Sequence, residues 1–143
     1  MDNFSKYESR IGKVNAGSEE IFAFVSDMRN FKRFLPEKTV KNWEASVDEC
    51  SFEVSPVGRS TIKIVRKDAY DTVKFAGRGM NNTEFYIWVQ LKELGEKDTR
   101  AKLTIKADLN TGLKMIASKP IKNFLNKMVS GMEEFDDWGS INP

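Results

Sequence analysis

The sequence predicts an α+β domain in which a strongly curved antiparallel sheet wraps around a long C-terminal helix. Three observations carry that expectation. From Lys38 to Leu109 apolar and polar residues mostly alternate, in six short runs separated by turn residues. From Leu113 to Phe135 the apolar residues instead recur at helical spacing. Between a first strand-like run and the alternating block lies a shorter stretch, also of helical spacing.

The elements follow in order. Residues 3–14 read as a first strand, with Tyr7, Ser9 and Ile11 on one side and a slip of phase before Val14. Gly17 or Ser18 then caps a helix whose first turn carries Glu19 and Glu20, and Ile21, Val25 and Met28 share one face. Phe31, Phe34 and Leu35 mark a second short helix that Pro36 ends. Six strands come next: the runs around Trp43, Phe52, Ile62, Phe75, Ile87 and Leu103, joined by tight turns, form an antiparallel meander. In the last segment Leu113, Ile116, Ala117, Pro120, Ile121, Phe124, Leu125, Met128, Met132 and Phe135 are read as one stripe. Asn110 or Thr111 caps its start, Gly139 closes its end, and Pro120 bends it near Ile116.

A chain of 143 residues suits a single domain spanning 1–143. Lys and Arg number 23 against 21 Asp and Glu, interleaved along the chain, so nucleic acid is not an expected partner. A lone cysteine, Cys50, forms no internal disulfide, which favours a reducing, cytoplasmic setting. The polar stretch Met1–Arg10 has no apolar signal core, and the apolar runs are too short for stable membrane insertion.

Seven strands cannot lie flat on one helix about 10 Å wide, so they must curl and grip it. The aromatic residues of the two short helices plug one end, against the Met128–Phe135 half of the long helix. The other end, near Leu113 to Ser118, lacks a plug and should open into an apolar cavity.

The run from Val14 to Asp27, and Phe31 to Pro36 after it, resembles the entry into the paired short helices of the helix-grip superfamily. That superfamily, SRPBCC, includes START lipid-transfer domains, the birch-pollen allergen group and polyketide cyclases. The resemblance covers nearly the whole chain. It implies a helix-grip fold that holds apolar or amphipathic molecules, some members acting on them.

Chemistry is narrowed by what the chain contains. It has no histidine, which removes Ser-His-Asp and Cys-His catalysis and imidazole metal ligands. Glu19-Glu20, Glu133-Glu134 and Asp136-Asp137 are neighbours in helices and point apart. Cys50, within a strand run, reads as a passive thiol, and Gly77-Arg78-Gly79 as a strand end and turn, not a phosphate loop. No metal or cofactor is expected. The expected ligand wall is Phe75, Phe85, Ile87, Val89, Leu103 and Ile105, faced by Leu113, Ile116 and Pro120, with Met80 and Met115 at the mouth. Arg78 is the preferred polar anchor, ahead of Arg59, Arg66, Glu84 and Tyr86. Tyr86 and Trp88 fall on the opposite sheet face, where they suggest a homodimer or other partner contact. The leading expectation is a non-enzymatic binder of a small apolar or amphipathic, lipid-like ligand. A cyclase- or hydratase-type enzyme and a chaperone-activator-like interaction module are the alternatives.

Overall fold

The computed structural model describes residues 4–34, 38, 40–54, 58–79 and 82–138. Their order is β1 (Ser5–Glu8), β2 (Gly12–Val14), α1 (Ser18–Val25), a 3-10 helix (Met28–Phe34), β3 (Val40–Ala45), β4 (Glu49–Val54), β5 (Gly58–Asp68), β6 (Thr72–Arg78), β7 (Glu84–Gly95), β8 (Asp98–Ala107) and α2 (Thr111–Glu134). The strands form one antiparallel sheet in the order β1-β8-β7-β6-β5-β4-β3, with β2 also paired to β8. This is the helix-grip architecture, with its six-strand meander where the alternation put it.

The first strand differs from expectation. It is broken into β1 and β2, and the slip lies between Ser9 and Gly12 instead of before Val14. Ser9 is the cause: its hydroxyl accepts from the Leu103 amide at 2.9 Å and donates to the Arg10 carbonyl at 2.7 Å. A side chain thus takes up ladder groups that a regular strand would pair, and the chain kinks. Ile11 is turned out to solvent, 65% exposed, while Gly12 and Val14 return to the buried face.

The early helices form the plug. Gly17 stands at the cap of α1, and the Ser18 amide donates to Glu93 of β7 at 2.8 Å, which fastens the helix start to the sheet. Asp27 opens the 3-10 helix by accepting from the Arg29 amide at 3.0 Å and its guanidinium at 2.7 Å. The Arg29 guanidinium holds the Asp27 carboxyl below its ordinary value. Phe24, Phe34, Phe135 and Trp138 then pack ring on ring, with centroids 4.9–5.7 Å apart. Arg33 lies over Phe24 and Phe135.

Helix α2 is capped by Asn110, whose side chain accepts from the Leu113 amide at 2.9 Å. It runs unbroken through Pro120 and stops at Glu134, short of Gly139, which lies outside the described residues with Pro36. Phe135 leaves the helix and joins the plug.

The polar flank of α2 covers the β1/β2 edge of the sheet. Asn126 accepts from the Arg10 amide at 2.9 Å and Glu133 from the Lys13 amide at 3.1 Å. The Arg10 guanidinium donates to Ser130 and Glu133, both at 2.7 Å, and holds the Glu133 carboxyl below its ordinary value. Edge groups that would otherwise be open to another chain are satisfied in this way. Two glycines let the backbones meet. A Cβ at Gly12 would overlap Val129, and one at Gly131 would stand 3.3 Å from the Phe34 carbonyl oxygen.

The Gly12→Val protein should therefore be destabilised by about 1–3 kcal/mol through overpacking, measured as a lower urea midpoint. In Gly112→Ala the added methyl would meet nothing closer than Asn110 at 3.5 Å, and the midpoint should not fall. Equal midpoints for wild type and Gly12→Val would show that the close approach constrains nothing.

Candidate functional site

The inner sheet face is apolar by register. Phe75, Ile87, Ile105 and Tyr7 lie in one row across β6, β7, β8 and β1, and Val73, Val89 and Leu103 in the next. Phe75, Phe85, Ile87, Val89, Leu103 and Ile105 are all buried. Gly77 opposes Phe85, and a Cβ there would overlap the ring, so the glycine lets the Phe85 ring lie across β6.

The helix side is uneven. Ala117, Leu125, Met128, Val129 and Met132 are buried, Leu113 and Pro120 half-buried, Ile116 61% exposed and Met115 83% exposed. Ile116 does not belong to the stripe. Nine residues before Leu125, at about 100° per residue, it sits half a turn away from the buried side. Met115 likewise stands in solvent and lines no interior wall. Met80 lies outside the described residues.

Arg78 is also placed differently from expectation. Val73, Phe75 and Gly77 take the inner positions of β6, so Arg78 faces outward, exposed and in register with Glu84. It is not a group inside the grip. The remaining polar candidates are occupied: Arg59 donates to Ser51 at 3.0 Å, Arg66 pairs with Asp68 at 3.0 Å, and Glu84 accepts from Tyr86 at 2.7 Å.

Three residues that sequence reasoning passed over stand where sheet and helix meet. The Tyr7 and Ser118 hydroxyls are 2.7 Å apart, and Ser118 donates to the Lys114 carbonyl at 2.6 Å. Because the Ser118 proton is committed to that carbonyl, Tyr7 donates to Ser118. Lys114 keeps the phase of Ile121, Leu125, Met128 and Met132, so its Cα sits on the buried side of the helix although its side chain is exposed. The spacing of a lysine seven residues before Ile121 was the available signal. Beside this contact an open groove of about 690 Å³ runs between β1 and α2, lined by Lys6, Tyr7, Glu8, Ser118, Lys119, Lys122 and Asn123. Its rim is cationic and hydroxylic, unlike the inner wall.

No group of three or more Cys, Asp or Glu side chains suited to a metal ion occurs among the described residues. No helix among them is long and apolar enough to cross a membrane. Glu20 reaches back to the Gly17 amide at 3.5 Å and Glu133 serves the β2 edge, which accounts structurally for one member of two carboxylate pairs. Cys50 is buried on β4, and burial pushes its thiol up to about 12.

Residues 12–134 match the family described as CoxG, a component of carbon monoxide dehydrogenase. The chain belongs to the CoxG family. Among curated proteins, none matches it in sequence. Among solved structures, a norcoclaurine synthase from Thalictrum flavum superposes with a TM-score of 0.71 at 12% identity, covering 92% of each chain. The same plant enzyme in complex with dopamine and hydroxybenzaldehyde gives 0.68 at 11% identity, covering 92% of this chain and 85% of that one. A protein of Thermus thermophilus gives 0.68 at 16% identity, covering 91% of this chain and 95% of that one. At such identities the likeness is one of fold.

The position of Cys50 yields a direct test. With the thiol near 12, the thiolate fraction at pH 8 is on the order of one in ten thousand. Ellman's reagent should leave the folded CoxG-family protein unmodified and titrate one thiol per chain in guanidinium chloride. Rapid labelling of the folded protein would restore Cys50 as a reactive group.

Proposed function

We propose that this protein binds a small apolar or amphipathic ligand between the inner sheet face and the N-terminal half of α2, without transforming it. The observation that carries the reading is the asymmetry of α2: buried from Leu125 to Met132, half-buried or exposed from Leu113 to Ile116, over a sheet wall that is apolar throughout. Apolar walls with few polar groups are the general form of small-molecule sites. The ligand-contact set is Phe75, Phe85, Ile87, Val89, Leu103 and Ile105 from the sheet, with Leu113 and Pro120 from the helix. Met80 is kept as a residue of the mouth. The fold order supports membership of the wider SRPBCC superfamily, and a norcoclaurine synthase of this fold has been solved with dopamine and hydroxybenzaldehyde. The family name attaches CoxG to carbon monoxide dehydrogenase, and an accessory, ligand-holding role beside such an enzyme in the cytoplasm is part of the proposal. A cyclase-type reading needs an acid or base on the inner wall. The sheet residues of the contact set are all apolar, and Tyr7, in their row, already donates its proton to Ser118.

Displacement of a fluorescent fatty-acid probe, with native mass spectrometry of the purified protein, tests this. The probe should bind with micromolar Kd. Leu113→Arg should weaken it at least about tenfold, since a charge would enter an apolar site, while Met115→Ser should leave it unchanged. Absence of probe binding together with absence of any co-purified small molecule would overturn the proposal.

A further inference from the structure

The outer face of the sheet carries a second, separate feature. Tyr86 and Trp88 stand two residues apart on β7 with ring centroids 6.2 Å apart, both half-buried and both directed away from the core. No bulge reverses them: Ala76, Tyr86 and Lys106 are in one register row, and Lys74, Trp88 and Thr104 in the next. Lys74 Nζ lies 4.8 Å from the Tyr86 ring centroid and 5.3 Å from that of Trp88. Phe4 packs its ring on Tyr86 from the other side at 5.8 Å. Around the pair the outward positions are cationic: Lys6 and Lys106 in the Tyr86 row, Lys63 beyond Ala76, and Arg78 one pair further along. The two acids of the same face are already engaged, Glu8 by Lys102 at 2.6 Å and Glu84 by the Tyr86 hydroxyl at 2.7 Å.

We infer that this face docks an acidic surface or segment of another protein, with Trp88 and Tyr86 as its apolar centre and Lys74, Lys63 and Arg78 as its charged surround. Charge selects the occupant. A second copy in a two-fold arrangement would bring like-charged faces together, which costs where cations meet at close range. Bases of a nucleic acid would need free ring faces for stacking. Lys74 and Phe4 occupy the approach to those faces, leaving ring edges and an ammonium, a combination suited to carboxylates and aliphatic side chains. A lipid surface would need side chains that protrude to insert, whereas both rings lie half-buried against the sheet. Aromatic residues at the centre of a polar rim are the usual energetic core of a protein interface. The feature lies on the opposite side of the sheet from the proposed ligand wall, so the two activities are separable.

A fluorescein-labelled peptide of alternating Glu and Leu is the probe, with the Lys/Leu peptide, oligouridylate RNA and phosphatidylglycerol vesicles as competitors in kind, and sedimentation velocity for self-association. The acidic peptide should bind in a salt-sensitive manner, and Trp88→Ser and Lys74→Glu should each weaken it at least about tenfold. Lys63→Glu, at an exposed position, should weaken it in the same direction and supplies the reading should Trp88→Ser lose its fold. Fatty-acid probe binding should persist in all three. The inference is overturned if the acidic peptide does not bind, if the variants bind it as wild type does, or if Trp88 instead governs binding of RNA, vesicles, the basic peptide or a second copy.

Discussion

A side chain at Gly12 would enter the space of Val129, and one at Gly131 would press on the backbone of Phe34. Helix α2 is thereby seated close to β2 on one side and to the 3-10 helix on the other, over its C-terminal half alone. Interior packing tolerates little displacement, so these two points hold the helix axis at the plugged end. The Arg10, Asn126, Ser130 and Glu133 bonds extend the hold along the sheet edge. Toward the N-terminus of α2 the grip passes to one hydroxyl pair, Tyr7 and Ser118, with Leu113 only half-buried. What the fold offers a ligand follows from where the helix is fastened and where it is not.

Much of this was legible in the residues. Period two over β3 to β8 and period 3.6 over α2 reflect burial of one face, and burial patterns survive in sequence because every position contributes to them. The break between β1 and β2 was harder to locate. It depends on one serine hydroxyl replacing backbone pairing, a choice among hydrogen bonds that alternation does not register. Ile116 and Lys114 show the same limit from the other side. Hydrophobicity alone put isoleucine on the stripe, and charge alone put lysine off it. Helical phase puts each on the opposite side, and phase was the better guide. Arg78 was expected in the cavity because two glycines flank it, yet strand parity with Phe75 sends it outward. Tyr7 was legible as an inward strand residue, but its partner Ser118 lies in a helix more than a hundred residues away, a pairing that no local pattern contains.

The two faces of the sheet divide the chemistry. The inner rows are apolar and closed by α2 and the plug, and the ionisable neighbours of the interior are engaged in holding the structure: Asp27 with Arg29, Glu133 with Arg10 and Lys13. The outer rows carry cations around Tyr86 and Trp88, whose separation from the core by a single sheet layer leaves them free to serve a different partner. A protein that holds a small molecule on one side and meets another protein on the other requires no catalytic group of its own, which agrees with a chain lacking histidine and with a thiol silenced by burial. Membership of the CoxG family sets that division of labour beside an oxidoreductase.

Amide hydrogen exchange along α2 tests the central claim most directly, because it reads the opening energy of each turn separately. Amides from Ile121 to Met132 should exchange only through global unfolding. Those from Lys114 to Ala117 should exchange by local opening, orders of magnitude faster, and slow when the fatty-acid probe is added. Uniform protection from one end of the helix to the other would contradict the account, since the N-terminal half would then be as firmly seated as the half held at Gly12 and Gly131.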